Sequence, residues 1–221
     1  MSSGQDASET GAQRRDRYIE DFALERMPRV PPEHYYDVVA QMINARAASW
    51  AAFGVGFNRT FQELVRTRGR YTPGARLYAF DWWEGLPEDW RPGFPRGTFR
   101  VPRENVVRWY RHDPTVVFVD GRFEETLTPE RIAGIGATAL VHIDCDLYSS
   151  TRCVLERLPL APGTIVLFDE FYAPAGEWDW WEHEARAFHE ICRERALDVW
   201  PLCRRNVPSA TLSEQAAFLI L

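Results

Sequence analysis

The run Val141-His142-Ile143-Asp144-Cys145-Asp146-Leu147-Tyr148-Ser149-Ser150-Thr151 places two carboxylates two residues apart, where an apolar stretch gives way to a helix-forming one. A second apolar stretch, 164–168, also runs into acids, Asp169 and Glu170. If the two stretches are neighbouring parallel strands, four carboxylates meet at the carboxyl edge of a sheet, where open α/β sheets bind their ligands. Anions at that density repel one another unless a cation or a proton is held among them. Oxygen donors without Cys or His suit Mg²⁺, Ca²⁺ or Mn²⁺ rather than zinc. The plainer alternative is that each acid caps the helix that follows it. Four such acids at two successive strand ends weigh against that alternative.

A third stretch, Ala52-Phe53-Gly54-Val55-Gly56-Phe57-Asn58-Arg59-Thr60, is a small-residue turn of the kind that lets a nucleoside approach the backbone. As a motif it is weak, because the third glycine of the dinucleotide fingerprint is missing and no phosphate-binding loop occurs in the chain. Its weight comes from the next apolar run, 77–80, which ends in Asp81, placed to accept hydrogen bonds from both hydroxyls of a ribose. Without machinery for phosphates, a phosphate-free nucleoside such as S-adenosylmethionine fits better than NAD or ATP.

These residues need a scaffold that brings strand ends together. Short apolar runs at 50–55, 77–80, 116–119, 139–143 and 164–168 alternate with helix-length polar stretches, which predicts β-α units and a largely parallel, doubly wound α/β sheet. Helices are expected over 60–68, 129–133, 149–157 and 182–195, the last with Ala185, Phe188, Ile191 and Cys192 on one face. Two final runs, 197–203 and 215–221, predict an antiparallel finish. Residues 18–48 read as an N-terminal helical arm and 49–221 as the single globular domain. Residues 1–17 carry no apolar period and are expected to be disordered.

Composition bounds the partners. The 221 residues carry a net charge of −6, which disfavours nucleic acid and anionic bilayers. The least charged stretch, 132–143, falls short of the roughly 20 apolar residues that span a membrane. No apolar secretory segment opens the sequence, so the cytoplasm is the expected compartment. Cys145, Cys153, Cys192 and Cys203 form no C-x-x-C pair and read as free thiols.

Three segments resemble a known family, the metal-dependent class I methyltransferases that O-methylate sugars in antibiotic biosynthesis, the macrocin O-methyltransferase group. Phe80-Asp81-Trp82-Trp83-Glu84-Gly85-Leu86-Pro87-Glu88 is similar to the family's F-D-S-F-E-G-L-P-E. Val119 to Leu127 is similar to its G-x-F-x-D-T-L, and His142 to Thr151 to its H-I-D-x-D-L-Y-x-S-T. Phe168-Asp169-Glu170-Phe171 stands where the family has F-D-D-Y. The resemblance implies a Rossmann-like methyltransferase fold and Asp144, Asp169 and Glu170 as ligands of Mg²⁺ or another divalent cation. It implies Asp146 as the base that deprotonates a small-molecule hydroxyl, most simply on a sugar of a natural product. It implies S-adenosylmethionine bound against Phe53, Gly54, Gly56, Asn58, Thr60, Asp81, Gly121, Phe123 and Asp144. The chain departs from the pattern at Glu170, where the family has Asp, at Ala52, where many members have an acid, and at Asn58, where they have glycine.

Other residues carry less. Trp82, Trp83 and Trp90, and Trp178, Trp180 and Trp181, can line a substrate pocket, pack under loops or face another subunit. His142 reads as a core residue; His183 and His189 remain as second bases. Arg14-Arg15 and Arg204-Arg205 read as solvated charge. Two other functions stay open, a catalytically inert S-adenosylmethionine-binding scaffold or partner subunit of the same fold, and an NAD-dependent oxidoreductase. A homo-oligomer is compatible with the short N-terminal region, since a substrate lid can come from a neighbouring subunit.

Overall fold

A computed structural model of the chain describes residues 9–43, 48–57, 59–174, 178–206 and 213–221. The strands β1 (Arg29–Val30), β2 (Ser49–Phe53), β3 (Leu77–Asp81), β4 (Val116–Asp120), β5 (Thr138–Ile143), β6 (Ile165–Tyr172), β7 (Val199–Arg205) and β8 (Glu214–Ile220) form one sheet. Its order is β1-β7-β8-β6-β5-β2-β3-β4. Strands β4, β3, β2, β5 and β6 are parallel, β8 runs antiparallel between β6 and β7, and β1 lies parallel to β7. This is the mostly parallel sheet with an antiparallel finish that the alternation of apolar runs predicts. The run at 164–168 alone is appreciably longer than expected, continuing as β6 through both acids to Tyr172.

Helices α1 (Gly11–Asp21), α2 (Tyr35–Gln41), α3 (Arg59–Tyr71), α4 (Arg103–Val107), α5 (Phe123–Thr126), α6 (Pro129–Ile135), α7 (Tyr148–Arg157) and α8 (Glu184–Glu194) cover the sheet. Side chains alternate along the central strands as the pleat requires. Trp50, Ala52, Leu140, Ile165 and Leu167 pack with α2 and α3 through Tyr35, Tyr36, Val39, Phe61 and Leu64. Ala51, Phe53, Val141, Ile143, Val166 and Phe168 pack on the opposite face with Ala185, Phe188 and Ile191 of α8. Both faces are therefore covered, which is why these strands read as nearly continuous apolar runs. No helix among the described residues is long and apolar enough to cross a membrane.

The N-terminal expectation needs correction. Residues 1–8 lie outside the described residues, but 11–17, expected to be disordered, belong to α1, which runs on to Asp21. Thr10 and Gln13 make a reciprocal capping box, with Gln13 N at 3.3 Å from Thr10 Oγ1 and Thr10 N at 2.9 Å from Gln13 Oε1. Arg14 donates to Glu182 at 2.6 Å, so it is not solvated charge. The Tyr18 ring packs, tilted, against His189 at 4.4 Å, and Phe22 stacks on Phe188 at 5.3 Å. The arm thus wraps the sheet edge, with α1 on one face, β1 at the edge and α2 on the other face. Arg204 is also not solvated, because the β7–β8 pairing turns it inward to an ion pair with Glu214 over the Tyr172 ring.

Candidate active site

Strand order reverses at β2, with β3 and β4 to one side and β5 and β6 to the other, so a crevice opens at the carboxyl ends of β2 and β5. Gly54 and Asp144 meet there. Asp144 N donates to Phe53 O at 2.9 Å, and a Cβ on Gly54 would stand 1.8 Å from Asp144 O. With φ at +89° as well, the position accepts only glycine.

A cavity of about 320 Å³, within the usual range for small-ligand sites, opens over these strand ends. It is lined by Gly54, Gly56, Thr60, Asp81, Gly121, Phe123, Asp144, Asp146, Asp169 and Glu170 among others. Ten of the residues expected at the site therefore share one wall system. Phe53 does not, since its ring is fully buried between Phe80 at 4.7 Å and Phe123 at 5.5 Å. Strand alternation sends it into the core, and only its carbonyl serves the site. Asn58 lies outside the described residues.

Asp81 is partly committed. Its Oδ2 accepts from Val55 N at 2.8 Å and Gly56 N at 3.0 Å, and its Oδ1 from Trp83 N at 2.7 Å. A carboxylate has about four acceptor sites, so this one stiffens the glycine turn and keeps about one site for a ligand hydroxyl. Trp82 lines the same cavity with Arg122 over its ring at 4.9 Å. Trp90 and Trp178 meet edge to face at 5.4 Å, and Arg91 lies over both rings.

The acids converge as the spacing suggests. Residues β5 and β6 pair in register from Leu140↔Ile165 to Ile143↔Phe168. Between Phe168↔Ala216 and Tyr172↔Glu214 the β6–β8 register shifts, so Asp169 and Glu170 sit on a bulge that carries them into the cavity. Burial, followed by the neighbouring carboxylate Asp169, pushes Asp144 and Glu170 well above the usual carboxylate range. The same causes push Asp146 up to about 7, opposed by the Arg91 cation. Gln215 Nε2 donates to Asp169 Oδ1 and also lies 2.8 Å from Tyr36 OH.

Two functional candidates escaped the sequence. His142 was expected to be a satisfied core side chain, and it is buried, but neither ring nitrogen makes a hydrogen bond. One ligand atom each from His142, Asp144 and Asp169 lies within 4.8 Å of the others. The i, i+2 spacing of His142 and Asp144 on a strand was the available signal. Glu184, fully buried, is a fifth acid at the cluster, its Oε2 accepting from Glu170 N at 3.2 Å. It stands at i−4 from Phe188 and i−7 from Ile191, a charge on the apolar stripe of α8. His189 is engaged elsewhere, 2.7 Å from Asp21.

A second cavity adjoins the first. Tyr36, Arg205, Gln215 and Glu63 line it, and Arg59, Thr60, Asp169 and Glu170 border both.

Residues 73–194, more than half of the chain, match the family model described as macrocin O-methyltransferase (TylF). The chain belongs to the macrocin O-methyltransferase family. It is 33% identical over 112 residues to a Streptomyces olivaceus protein named 8-demethyl-8-(2,3-dimethoxy-alpha-L-rhamnosyl)-tetracenomycin-C 4'-O-methyltransferase. That match takes in 43% of this chain and 42% of the relative, less than half the length of either. Among solved structures it is similar to CalS11, a calicheamicin methyltransferase, with a TM-score of 0.65 at 21% identity over 96% of this chain and 93% of that one. It is also similar to the O-methyltransferase NovP, with a TM-score of 0.59 at 18% identity over 84% and 78% of the two chains. These likenesses establish the methyltransferase fold for this family member.

Proposed function

We propose that the chain is an S-adenosylmethionine-dependent O-methyltransferase acting on a sugar hydroxyl of a natural product. The observation that carries this is the shared floor of the two cavities, Asp169 and Glu170, with Asp146 on the wall of the first. A methyl donor laid along Gly54, Gly56, Asp81, Gly121 and Phe123 and a polyhydroxyl acceptor beside Tyr36 and Gln215 meet over those carboxylates. The family membership and the tetracenomycin rhamnosyl relative support the sugar class.

The donor set fits a divalent cation. Asp144 and Asp169 supply oxygens, the unpartnered buried nitrogens of His142 stand beside them, and Glu170 Oε2 is buried without a hydrogen bond. These residues would hold the ion, with Glu170 reaching one methylene further than the family's aspartate. A divalent cation supplies Lewis-acid stabilisation of negative charge developing on an acceptor oxygen. Asp146 does the proton work: as the hydroxyl oxygen bonds to the methyl carbon and the sulfonium sulfur leaves with the electron pair, Asp146 takes the hydroxyl proton. Its carboxyl, pushed up to about 7, suits general-base work near neutral pH.

The test separates base from ligand. Asp146→Asn should leave cofactor and metal affinity nearly intact and lower turnover by about 10²- to 10⁴-fold. Asp169→Asn should weaken metal affinity, with excess Mg²⁺ restoring part of the activity. Cofactor binding without turnover across a wide panel of glycosides would instead identify an inert scaffold. Methyl transfer insensitive to EDTA would remove the metal from this reading.

A further inference from the structure

Asp146 is held in a backbone conformation that a non-glycine residue seldom adopts. Its φ is +62°, and Leu147 N donates to Cys145 O at 2.6 Å, closing a three-residue γ-turn with Asp146 at the apex. Strain of this kind persists where the surroundings fix the turn from several sides. Three contacts converge on Cys145. Its carbonyl takes the Leu147 amide, its Sγ lies 3.5 Å from Thr151 Oγ1, and its own amide faces the carboxylate of Glu184.

Glu184 comes from a different part of the chain. It is the first residue of α8, it is fully buried, and Phe188 and Ile191 one and two turns later fix the helix in the core. Its Oε2 accepts the backbone N–H of Glu170 at 3.2 Å. One carboxylate is thus shared by the amide between Asp144 and Asp146 and the amide of the β6 bulge. Both groups it serves are donors, so a carboxylate, with lone pairs on both oxygens and no N–H, suits the position.

We propose that Glu184 is a positioning residue that locks the Asp146 turn and the Glu170 bulge to one another, so that the base and the metal-binding carboxylates keep a common geometry. The proposal rests on the methyl-transfer reading for its turnover measurement only; its other measurements stand without it.

The experiment compares Glu184→Leu, which removes the acceptor at similar volume, with Glu184→Gln, which keeps one acceptor oxygen. Hydrogen exchange is followed in peptides covering 144–148 and 168–172, Mn²⁺ affinity by calorimetry, and kcat and KM for S-adenosylmethionine by turnover. Glu184→Leu is expected to speed exchange in both peptides and to weaken Mn²⁺ about 10- to 100-fold, the usual scale for a residue supporting ligands from behind. It should lower kcat with KM for S-adenosylmethionine little changed, and Glu184→Gln should recover most of each loss. Exchange and Mn²⁺ affinity at wild-type levels in Glu184→Leu would overturn the proposal. So would Glu184→Gln failing as badly as Glu184→Leu, which would make the charge and not the hydrogen bonds decisive. If Glu184→Leu does not fold, near-wild-type exchange and Mn²⁺ affinity in Glu184→Gln support the proposal and losses there overturn it. If the wild-type chain transfers no methyl group, the function reading fails while exchange and Mn²⁺ binding still decide the role of Glu184.

Discussion

His142 Nε2 stands 3.6 Å from Asp169 Oδ1, and neither nitrogen of this buried imidazole makes a hydrogen bond. A ring nitrogen beside two carboxylates changes the metal chemistry, because imidazole favours Mn²⁺, Co²⁺ or Ni²⁺ over Mg²⁺ more than an all-oxygen set does. The wild-type chain should therefore bind Co²⁺ more tightly than Mg²⁺. His142→Leu should cost about 10- to 100-fold in affinity and narrow the gap between the two ions. Calorimetric titration of both ions into both proteins is the check; equal affinities throughout would place His142 outside the metal site.

Gly54 offers a sharper steric test. An alanine there would drive its Cβ into the carbonyl oxygen of Asp144, whereas at Gly56 a Cβ would meet nothing within 4 Å. Gly56 at φ +47° pays only for the left-handed backbone, about 1–2 kcal/mol. Gly54→Ala adds an overpacking cost of roughly 1–3 kcal/mol and displaces Asp144. Denaturant midpoints should fall further for Gly54→Ala than for Gly56→Ala, and metal affinity should fall in Gly54→Ala alone.

These residues also mark what the sequence made legible. The alternating apolar runs prescribed the parallel sheet, and the strand-end acids prescribed the carboxyl edge, because both signals are local. Phe53, Arg204 and Glu184 could not be placed that way. Phe53 and Arg204 follow from which face each strand buries, and that depends on pairing partners far along the chain. Glu184 meets the amide of Glu170 on β6 and faces that of Cys145 just past β5, an arrangement that exists only after the helix has docked. The N-terminal segment misled for a related reason: α1 has a weak apolar pattern, and its stability comes from a capping box and from Tyr18 and Phe22 docking on α8.

The acid cluster sets the direction of the pH dependence. Asp144, Glu170 and Glu184 are held well above the usual carboxylate range by burial and then by the carboxylates of Asp169 and Asp146, and Asp146 is itself pushed up to about 7. A carboxyl whose folded pKa is raised stabilises the fold fully below its unfolded pKa near 4, and that stabilisation is lost as pH rises through the folded value. Metal-free protein should therefore lose melting temperature between about pH 5 and 8. A divalent cation should offset the loss most at the high end of that range, where the carboxylates are ionised. Melting curves with EDTA and with Mn²⁺ at each pH test this, and a difference between them that stays constant across pH would contradict it.

The buried pair of Arg204 and Glu214 gives a prediction remote from the chemistry. Arg204 is 1% and Glu214 6% exposed, and the guanidinium also lies 4.6 Å from the centre of the Tyr172 ring. Removing Arg204 leaves the buried Glu214 with only the largely exposed Arg29, 3.4 Å away, so Arg204→Met should destabilise toward the lower end of about 3–5 kcal/mol. Replacing both should cost much less, because a well-packed apolar pair is often as stable as the ion pair it replaces. The pair sits on β7 and β8, beside Arg205 and Gln215, which line the second cavity. If its role is to fix that edge of the sheet for the acceptor, Arg204→Met with Glu214→Leu should regain stability while KM for the acceptor stays raised. Chemical denaturation of the two single variants and the double variant, read as a double-mutant cycle alongside KM, decides the matter. A double variant as unstable as Arg204→Met alone would show that the lost stability comes from packing against Tyr172 rather than from the charge left on Glu214.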